Sequence, residues 1–359
     1  MTSTKFTSAR RRLTALRLSA QGIDDPSAPT AEAVVRNALA TQAQDYLGTL
    51  WAVGLRTPGA TAADVEAAHE SGRFVRSWPM RGTLHFVAGE DLGWMLELTR
   101  ARMLQTAAGT RRRIGLTDAD YERAEGVVRD LLGGGGKAKR AELHAALDAA
   151  GVSTEGQRGI HILGQLAQLG VLVLAARDAW ALLEEWVPEP RRLERDDALE
   201  EFALRYFTSH GPATVKDFSW WSSLTLADAR AGLAAARERL DELELEGATY
   251  YLRPGLEPAE RAVHLLPGFD EYLLGYGDRS APLAGEHANT VVPGGNGLFM
   301  PTIVVDGEVV GIWKRVLGKK RVDVSLAPLV PLTATAERAV RSRIVRYAEF
   351  LGTDVELVD

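Results

Sequence analysis

The chain has 359 residues, of which 46% are hydrophobic and 25% charged, so a disordered or collagen-like protein is excluded. Its length suggests two or three domains. No stretch approaches eighteen consecutive apolar residues, and the first residues lack the apolar segment of a secretory signal. The absence of cysteine excludes disulfides, thiolate metal sites and cysteine nucleophiles. We expect a cytoplasmic protein with no membrane segment.

Charge is distributed unevenly along the chain. The net charge is −6, yet residues 1–113 contain 15 Lys and Arg against 10 Asp and Glu. Basic clusters occur at Arg10–Arg12 with Arg17, at Arg111–Arg113, and at Lys314-Arg315 with Lys319–Arg321. Local basic clusters on an acidic protein suit an anionic partner at one face, with nucleic acid as the first candidate. Taken singly, such a cluster is more often only a solvated surface.

The first predicted unit is a group of helices followed by a hairpin. The N-capping and periodicity signals predict helices over Arg10–Ala20, Thr30–Leu39, Asp45–Trp51 and Ala62–Ser71. Alternating patterns then predict two strands, Phe74–Trp78 and Thr83–Val87. Helices followed by a two-stranded hairpin are typical of a winged helix-turn-helix.

The same order recurs twice. The second unit has predicted helices from the cap Thr117 to Leu132, Arg140–Ala149 and Gln157–Gln168, and strands Val171–Leu174 and Ala179–Leu183. The third has predicted helices Arg195–Ser209, Thr214–Ser219 and Leu226–Leu240, and strands Leu243–Glu246 and Thr249–Arg253. The three units are too different in sequence to count as a repeat by identity, so the tandem arrangement is predicted from their order.

The pattern changes after Pro254. Strands are predicted over His264–Pro267, Thr302–Val305, Val309–Trp313 and Val322–Leu326, followed by a helix over Thr335–Leu351. The segment Ala281–Gly297, rich in Pro and Gly, is predicted to be a mobile loop. We therefore predict an α+β protein with winged helix units over residues 1–115, 116–192 and 193–254, and a β-barrel-like domain over residues 255–359.

Gln42 and Gln44 are the first candidates for chemistry. The segment Asn37–Thr41 is expected to end a helix, and a non-helical Gln-Ala-Gln would direct both carboxamides to the same side. Together they have enough donors and acceptors to hold one water, and their carbonyl dipoles favour a developing positive charge. This suits water capture of an oxocarbenium ion after a cationic base such as N7-alkylguanine departs. On spacing alone, two surface glutamines are the commoner explanation.

Other candidate residues give weaker signals. The histidines lack metal-ligand spacing, so no metal site is expected. His85, on a predicted strand, is either an exposed contact or a half-buried strand residue. Asp270 and Glu271 are adjacent carboxylates, but neighbours on a strand point to opposite faces, which disfavours a general acid–base pair. The helix over Gln157–Gln168 offers only a thin base-reading surface, so DNA binding through shape and backbone is expected.

Several stretches across nearly the whole chain resemble one family, the winged-helix DNA glycosylases that include AlkZ and YcaQ. The matching stretches are Thr41–Gln44, Arg76–His85, His210–Thr214 with Asp217–Trp221, Leu265–Tyr276, Asp278-Arg279 and Gly311–Arg315. The resemblance implies three tandem winged helices in a C-shaped arrangement with a β-barrel. It also implies an enzyme, a monofunctional DNA glycosylase that excises N7-alkylguanine and unhooks interstrand crosslinks.

The resemblance assigns roles to individual residues. Members carry Gln-x-Gln or Gln-x-Asp at the catalytic position, so Gln42 and Gln44 would be catalytic and the chain would belong to the AlkZ-like branch, which is often tied to self-resistance in antibiotic-producing bacteria. Asp45 would be a further candidate for placing the water. A basic hairpin would approach the lesion, and we assign DNA contacts to Arg81, His85, Lys314, Arg315, Lys319, Lys320 and Arg321.

Two alternatives stay open at this stage. One is a family member that acts mainly on monoadducts such as N7-methylguanine. The other is a non-catalytic winged-helix DNA-binding protein or transcription regulator. In the preferred interpretation the partner is double-stranded DNA carrying alkylated guanine, no cofactor or metal is needed, and the protein acts as a nucleoid-associated monomer. No lysine lies beside Gln42 and Gln44 in the sequence, so no Schiff-base lyase step is expected.

Overall fold

The structure, a computed structural model, describes residues 7–295, 297–318 and 321–358 of an α+β protein. Its helices are α1 (Ser8–Ala20), α2 (Ala31–Ala38), α3 (Tyr46–Gly54), α4 (Ala62–Glu70), α5 (Gly89–Arg113), α6 (Asp118–Leu132), α7 (Arg140–Ala149), α8 (Arg158–Gln168), α9 (Leu183–Trp186), α10 (Arg195–His210), α11 (Val215–Ser222), α12 (Leu226–Ala236), α13 (Glu271–Leu274), α14 (Ala288–Val291) and α15 (Ala334–Leu351). Within the described ranges, no helix combines the length and apolar character that crossing a membrane requires.

The strands form three sheets. They are β1 (Thr41–Gln42), β2 (Phe74–Met80), β3 (Thr83–Ala88), β4 (Ala138–Lys139), β5 (Leu172–Leu174), β6 (Ala179–Leu182), β7 (Asp241–Leu245), β8 (Ala248–Leu252), β9 (Val263–Leu266), β10 (Thr302–Val305), β11 (Glu308–Leu317), β12 (Arg321–Pro328) and β13 (Asp354–Val358). The sheets have the strand orders β1-β3-β2-β5-β6-β4, β7-β8 and β13-β12-β11-β10-β9.

Threonine side chains fix where many of the helices begin. Helices α1, α2, α4, α6, α11, α12 and α15 each follow a Thr whose hydroxyl accepts a hydrogen bond from a backbone N–H of the first turn. After Thr61, Thr117 and Thr214, an Asp in the first turn accepts a hydrogen bond from the threonine's own N–H. These caps are local, which is why the predicted starts of these helices are confirmed closely.

The first two hairpins lie in one sheet. Strand β2 of the first hairpin pairs with β5 of the second through Arg76 and Leu174. Strand β1 is added at the edge beside β3, where Gln42 lies opposite His85. The third hairpin, β7-β8, stands as a sheet of its own. The segment that carries Gln42 is therefore held by the same sheet that joins the first two helix-and-hairpin groups.

The C-terminal sheet packs on the first helices of the chain. Trp313 of β11 is buried against Tyr347 of α15, with ring centres 5.3 Å apart. Trp51 of α3 contacts the same Tyr347 ring at 5.1 Å and Phe350 at 5.1 Å. One hydrophobic core therefore joins the two ends of the chain. Strands β9 and β13 form opposite edges, so the sheet is open within the described residues.

Several features depart from the sequence analysis, and three of them are large. The 25-residue helix α5 is not predicted, because it begins after Ala88 without a side-chain cap; its stability comes from burying residues such as Trp94 and Met95. Strand β13 is also missed, since it pairs parallel to β12 only after α15 has crossed over. The segment predicted as a mobile loop contains α14 and short 3₁₀ turns at Gly285–His287 and Pro293–Gly295.

Gly54 is a testable contact between α3 and α15. A Cβ at this position would overlap the buried ring of Phe350. We predict that Gly54→Ala lowers the free energy of unfolding by about 1–3 kcal/mol, because the core has no room for a methyl group. Gly109 is at an exposed position of α5, where a Cβ meets nothing within 4 Å. Gly109→Ala should therefore raise the free energy of unfolding by about 0.5–1 kcal/mol. Urea denaturation measures both changes in the free energy of unfolding. Equal changes in the two variants would contradict the close contact between Gly54 and Phe350.

Candidate active site

The Gln-Ala-Gln segment runs along the edge of the six-stranded sheet. Helix α2 ends at Leu39, whose φ of 65° turns the chain out of the helix. Gln42 then pairs with His85 of β3, and the Ala43 N–H donates to the Leu84 carbonyl over 2.6 Å. The prediction that this segment is not helical is therefore confirmed. Gln42 lies on β1 and Gln44 lies two residues beyond it, so both glutamines are beside the β2-β3 hairpin.

Gln42 is held from three sides. Its backbone N–H donates to the Glu271 carboxylate over 3.0 Å, and its carbonyl accepts from the Thr49 hydroxyl over 3.0 Å. The side-chain Oε1 accepts a hydrogen bond from Arg81 Nη2 over 3.3 Å. Only 6% of the residue is exposed. The carboxamide is therefore fixed by the protein, and Oε1 keeps a second lone pair for another donor.

Gln44 is exposed and is anchored more lightly. Its Oε1 accepts from the Leu84 N–H of the hairpin over 3.3 Å. The next residue, Asp45, caps α3 by accepting from the Gly48 N–H, and both of its carboxylate oxygens also accept from Arg315 Nη2 at 2.7 and 2.9 Å. The C-terminal sheet thus holds the end of the glutamine segment, and the Asp45 carboxylate is occupied by these contacts.

The turn between β2 and β3 directs Arg81 at Gln42. Arg81 and Gly82 have φ of 55° and 67° between the paired residues Met80 and Thr83, which is the geometry of a two-residue hairpin turn. The Arg81 guanidinium donates to the Trp221 carbonyl over 3.1 Å as well as to Gln42. A backbone constraint therefore aims this side chain into the site, where it is only partly exposed.

His85 lies beneath Arg81 and is fully buried. Its Nε2 is 2.9 Å from Arg81 Nη2, and its Nδ1 is 2.8 Å from the Thr83 carbonyl. Arginine only donates, so Nε2 is the acceptor and Nδ1 carries the proton. Burial, and then the Arg81 charge, lower the His85 pKa to about 3. His85 is therefore a neutral ring that orients Arg81.

Glu271 is the buried anion of the site. Its Oε1 accepts from the Gln42 N–H over 3.0 Å, its Oε2 accepts from the Trp221 indole over 2.8 Å, and His210 Nε2 lies 3.6 Å away. Burial alone would raise the pKa of this carboxyl, but His210 and the Arg81 charge together hold it well below its usual range. The carboxylate therefore stays ionised and its two oxygens are engaged.

Its neighbour Asp270 performs a separate structural task. Asp270 caps the one-turn helix α13 through the Tyr272 N–H and receives two hydrogen bonds of 2.9 Å from Arg56. Both members of this ion pair are buried. The two adjacent carboxylates therefore have different partners. The strand expected over this segment is wrong: Asp270 is the N-cap of α13 and Glu271 is its first residue.

An open cleft adjoins Arg81. It has a volume of about 610 Å³ and lies between α5, α8 and the hairpin turn, with Trp78, Met103, Tyr121, Ile160, His161 and Gln165 among its lining residues. Arg158, the first residue of α8, donates to the carbonyls of Ile114 and Gly115 at 2.8 Å.

The residues predicted to contact DNA differ in their surroundings. Lys314 is exposed on β11, but Arg315 is paired with Asp45, and Arg321 is paired with Asp323 and Glu356. His85 has no exposed surface, so the direct DNA contact predicted for it is corrected to a role in positioning Arg81. Lys319 and Lys320 lie outside the described residues.

Metal ligands do not cluster in the part of the chain that the structure describes: no three or more His, Asp or Glu side chains come together to hold an ion.

Comparison with known proteins places this chain in a family. A model of the DNA glycosylase AlkZ-like family matches residues 35–350. The chain belongs to the AlkZ-like DNA glycosylases. The solved structure of the Streptomyces sahachiroi DNA glycosylase AlkZ is similar to it with a TM-score of 0.80 and 25% identity, over 99% of this chain and 100% of that one. The "Interstrand DNA cross-link repair glycosylase" of Streptomyces sahachiroi is 28% identical over 333 residues, 85% of this chain and 87% of the relative.

Family membership makes the protein an enzyme, a DNA glycosylase. In this AlkZ-like chain, Glu271 lies in the stretch Leu265–Tyr276 that carries the family resemblance. The sequence predicts no role for it, because adjacent carboxylates on the expected strand would point to opposite faces. Its partners Gln42 and Trp221 lie 229 and 50 positions away. No local pattern signals contacts between residues so far apart. The available signal in the sequence was a pair of carboxylates inside the largely apolar stretch Leu265–Tyr276, which the structure shows to be buried.

The neutral state of His85 makes stability depend on pH. An unfolded histidine takes up a proton below about pH 6.5, whereas folded His85 does so only near about 3. Between these values the unfolded chain binds more protons, so the free energy of unfolding falls as the pH falls, by up to about 1.4 kcal/mol per pH unit for one histidine. Burial also lowers the pKa of His69 and His264, each to about 4, so they add to the slope.

Urea denaturation at about pH 7 and about pH 5 measures this dependence. His85→Gln keeps an acceptor for Arg81 but does not titrate, so we predict a smaller loss of stability on acidification than in the wild type. An equal loss in both proteins would show that His85 is protonated in the folded state.

Proposed function

We propose that the protein hydrolyses the N-glycosidic bond of N7-alkylguanine in double-stranded DNA, with Gln42 and Gln44 positioning the attacking water. The observation that carries this proposal is the anchoring of both carboxamide oxygens by the β2-β3 hairpin, at 3.3 Å from Arg81 and from the Leu84 N–H. In a DNA glycosylase, two fixed carboxamides beside an open cleft suit a water held at C1′ of the lesion nucleotide.

The chemistry of the lesion explains why amides suffice. Alkylation at N7 makes guanine cationic, so the base leaves without being protonated by the enzyme. The remaining tasks are to stabilise the sugar cation and to deliver water to it. Carbonyl dipoles of Gln42 and Gln44 perform the first task, and their free lone pairs and N–H donors perform the second. As the C1′–N9 bond breaks, the base departs as neutral N7-alkylguanine, the water oxygen bonds to C1′, and the proton that the water loses passes to solvent. No lysine is involved, so the product is an abasic site.

The surrounding ionisable groups support the glutamines without exchanging protons. His85 has its acceptor nitrogen engaged by Arg81 at 2.9 Å, and its pKa of about 3 keeps it neutral. Both oxygens of Glu271 are engaged as well. We assign Arg81 and Glu271 as positioning residues, because they hold the side chain and the backbone of Gln42, respectively. Their opposite charges balance each other beside the water.

The open cleft favours a bulky adduct. A crosslinked guanine cannot rotate freely into a deep pocket, so its excision requires a shallow, accessible site. The cleft beside Arg81 meets that requirement, and the relative from Streptomyces sahachiroi is named as an interstrand cross-link repair glycosylase. We therefore include unhooking of interstrand crosslinks in the proposed activity, alongside excision of monoadducts such as N7-methylguanine.

The fold suggests how DNA is held. We propose that the helix-and-hairpin groups within residues 1–115, 116–192 and 193–254 are tandem winged helices in a C-shaped arrangement, with residues 255–359 completing the enclosure. Lys314, exposed on the β11-β12 hairpin, is the described residue of that hairpin best placed to contact a phosphate. The enzyme would act as a nucleoid-associated monomer in the cytoplasm.

Replacing the glutamine pair tests the proposed function. We predict that Gln42→Ala/Gln44→Ala lowers base release from a duplex containing N7-methylguanine by about 100-fold or more, because the water and the sugar cation lose their fixed partners. The Kd for undamaged duplex should stay unchanged. Base release is measured under single turnover as strand breaks after heating in alkali, and binding by fluorescence anisotropy.

Gln105→Ala, on the exposed face of α5, is the matched control and should behave as the wild type. An equal loss of binding and base release in the double variant would make the pair a DNA contact. A second duplex with an N7-guanine crosslink, measured beside the first, gives the ratio between the two activities. Wild-type protein that binds both duplexes and releases no base would overturn the proposal.

A further inference from the structure

Trp220 is an exposed aromatic side chain next to the candidate active site. It lies in α11, beside Trp221, and 40% of its surface is exposed. Two guanidinium groups face its ring: the Arg81 Cζ lies 5.4 Å from the ring centre and the Arg279 Cζ lies 4.6 Å from it. Arg81 is the residue that binds Gln42. The proposed water site and Arg279 are therefore linked through one indole ring.

Arg279 is fixed in place by aromatic and backbone contacts. Its Nε donates to the Leu273 carbonyl over 2.9 Å, and its guanidinium also lies over the Phe299 ring at 4.9 Å. The side chain is half-buried, and this burial, followed by the nearby Arg81 charge, lowers its pKa below the ordinary value. A planar guanidinium held between two aromatic rings keeps one orientation, so its Nη groups present their N–H donors in a fixed direction.

Arg279 has no anionic partner, and unlike those of Arg81 its Nη groups donate to no acceptor among the described residues. Arg56 is paired with Asp270 and Arg315 with Asp45. Among the described residues no carboxylate lies within 4.0 Å of the Arg279 nitrogens, and its Nη groups have no protein acceptor.

The two nearest carboxylates have other partners. Asp217 accepts from the N–H groups of Thr214 and Gly277, and Asp278 accepts from the Ser280 N–H. A half-buried cation with unused donors is a binding site for an anion.

We propose that Arg279 binds a backbone phosphate of the lesion strand beside the nucleotide whose base is removed, with Trp220 and Phe299 holding its guanidinium flat. This inference rests on the proposed function, which places the lesion sugar at Gln42 and Gln44. A guanidinium matches the two free oxygens of a phosphodiester with two parallel N–H···O bonds, and the ion pair forms in a partly desolvated place. Arg279 would thus fix the sugar relative to the water.

Salt dependence of binding tests whether Arg279 meets a phosphate. Arg279→Met keeps the stem between the two rings and removes the charge. We predict a Kd for undamaged duplex about tenfold higher, and a slope of log Kd against log salt that is smaller by about 0.9, the value for one lost phosphate contact. Arg279→Lys should keep the slope while binding more weakly, because it keeps the charge but loses the planar fork. Arg230→Met removes a charge at an exposed position of α12 and is the control, which should leave the Kd and the slope as in the wild type.

Replacing single backbone phosphates with uncharged methylphosphonates identifies which phosphate Arg279 contacts. The duplex carries 2′-fluoro-N7-methylguanosine, whose sugar resists cation formation so that the base stays attached, with a methylphosphonate at each linkage around it in turn. At one of the two flanking linkages, the methylphosphonate should weaken wild-type binding about tenfold and have no effect on Arg279→Met. Additive losses at every linkage, or an unchanged salt slope in a folded Arg279→Met protein, would overturn the proposal.

These measurements use binding alone, so they are separate from the test of base release. Wild-type protein without glycosylase activity, but with the predicted slopes, would reject the proposed function and keep the phosphate contact. Circular dichroism and thermal unfolding confirm the fold of each variant. If Arg279→Met fails to fold, Trp220→Phe provides the second variant: it keeps an aromatic surface and should keep the slope, whereas Trp220→Ala frees the guanidinium and should raise the Kd.

Discussion

The buried carboxylate of Glu271 is the interaction on which the candidate site depends. From α13, which lies between β9 and β10 of the C-terminal sheet, it accepts hydrogen bonds from the Gln42 backbone near the start of the chain and from the Trp221 indole in α11. A buried anion is costly unless its oxygens are engaged and a positive charge lies near it. Gln42, Trp221 and Arg81 supply those partners, and the same contacts bring the three regions together. Folding and assembly of the site are therefore one event.

This arrangement produces a site that holds groups in place rather than exchanging protons. The neutral His85 fixes Arg81, Arg81 fixes the Gln42 carboxamide, and Glu271 fixes the strand beneath it. Such preorganisation suits a reaction whose leaving group is already activated by alkylation, since orientation and electrostatics then provide the rate enhancement. The Glu271 carboxylate offsets the charge of Arg81 beside Gln42, which lessens the repulsion of a cationic sugar.

The sequence predicted what local chemistry determines. Threonine caps such as Thr61 and Thr117 located several of the helices, and the non-helical Gln-Ala-Gln segment followed from the end of α2. Helix α5 has no such cap, and β13 depends on a parallel partner across α15, so both were missed. At the site, the glutamines were found, but the anchoring by Glu271 was not, because it joins residues far apart in the chain. The predicted DNA contacts of Arg315 and Arg321 did not take account of their carboxylate partners. These are Asp45, before α3, for Arg315, and Asp323 of β12 and Glu356 of β13 for Arg321.

The central claim is that fixed carboxamides make the site complementary to a sugar cation. The most direct test compares the affinity for two duplexes with stable abasic analogues, a cationic pyrrolidine and a neutral tetrahydrofuran of the same shape. We expect the wild type to bind the pyrrolidine duplex more tightly than the tetrahydrofuran duplex. Gln42→Ala/Gln44→Ala should remove this preference without weakening the binding of the tetrahydrofuran duplex. Equal affinity of the wild type for both duplexes would contradict it, because the site would then not recognise the charge that develops at the sugar.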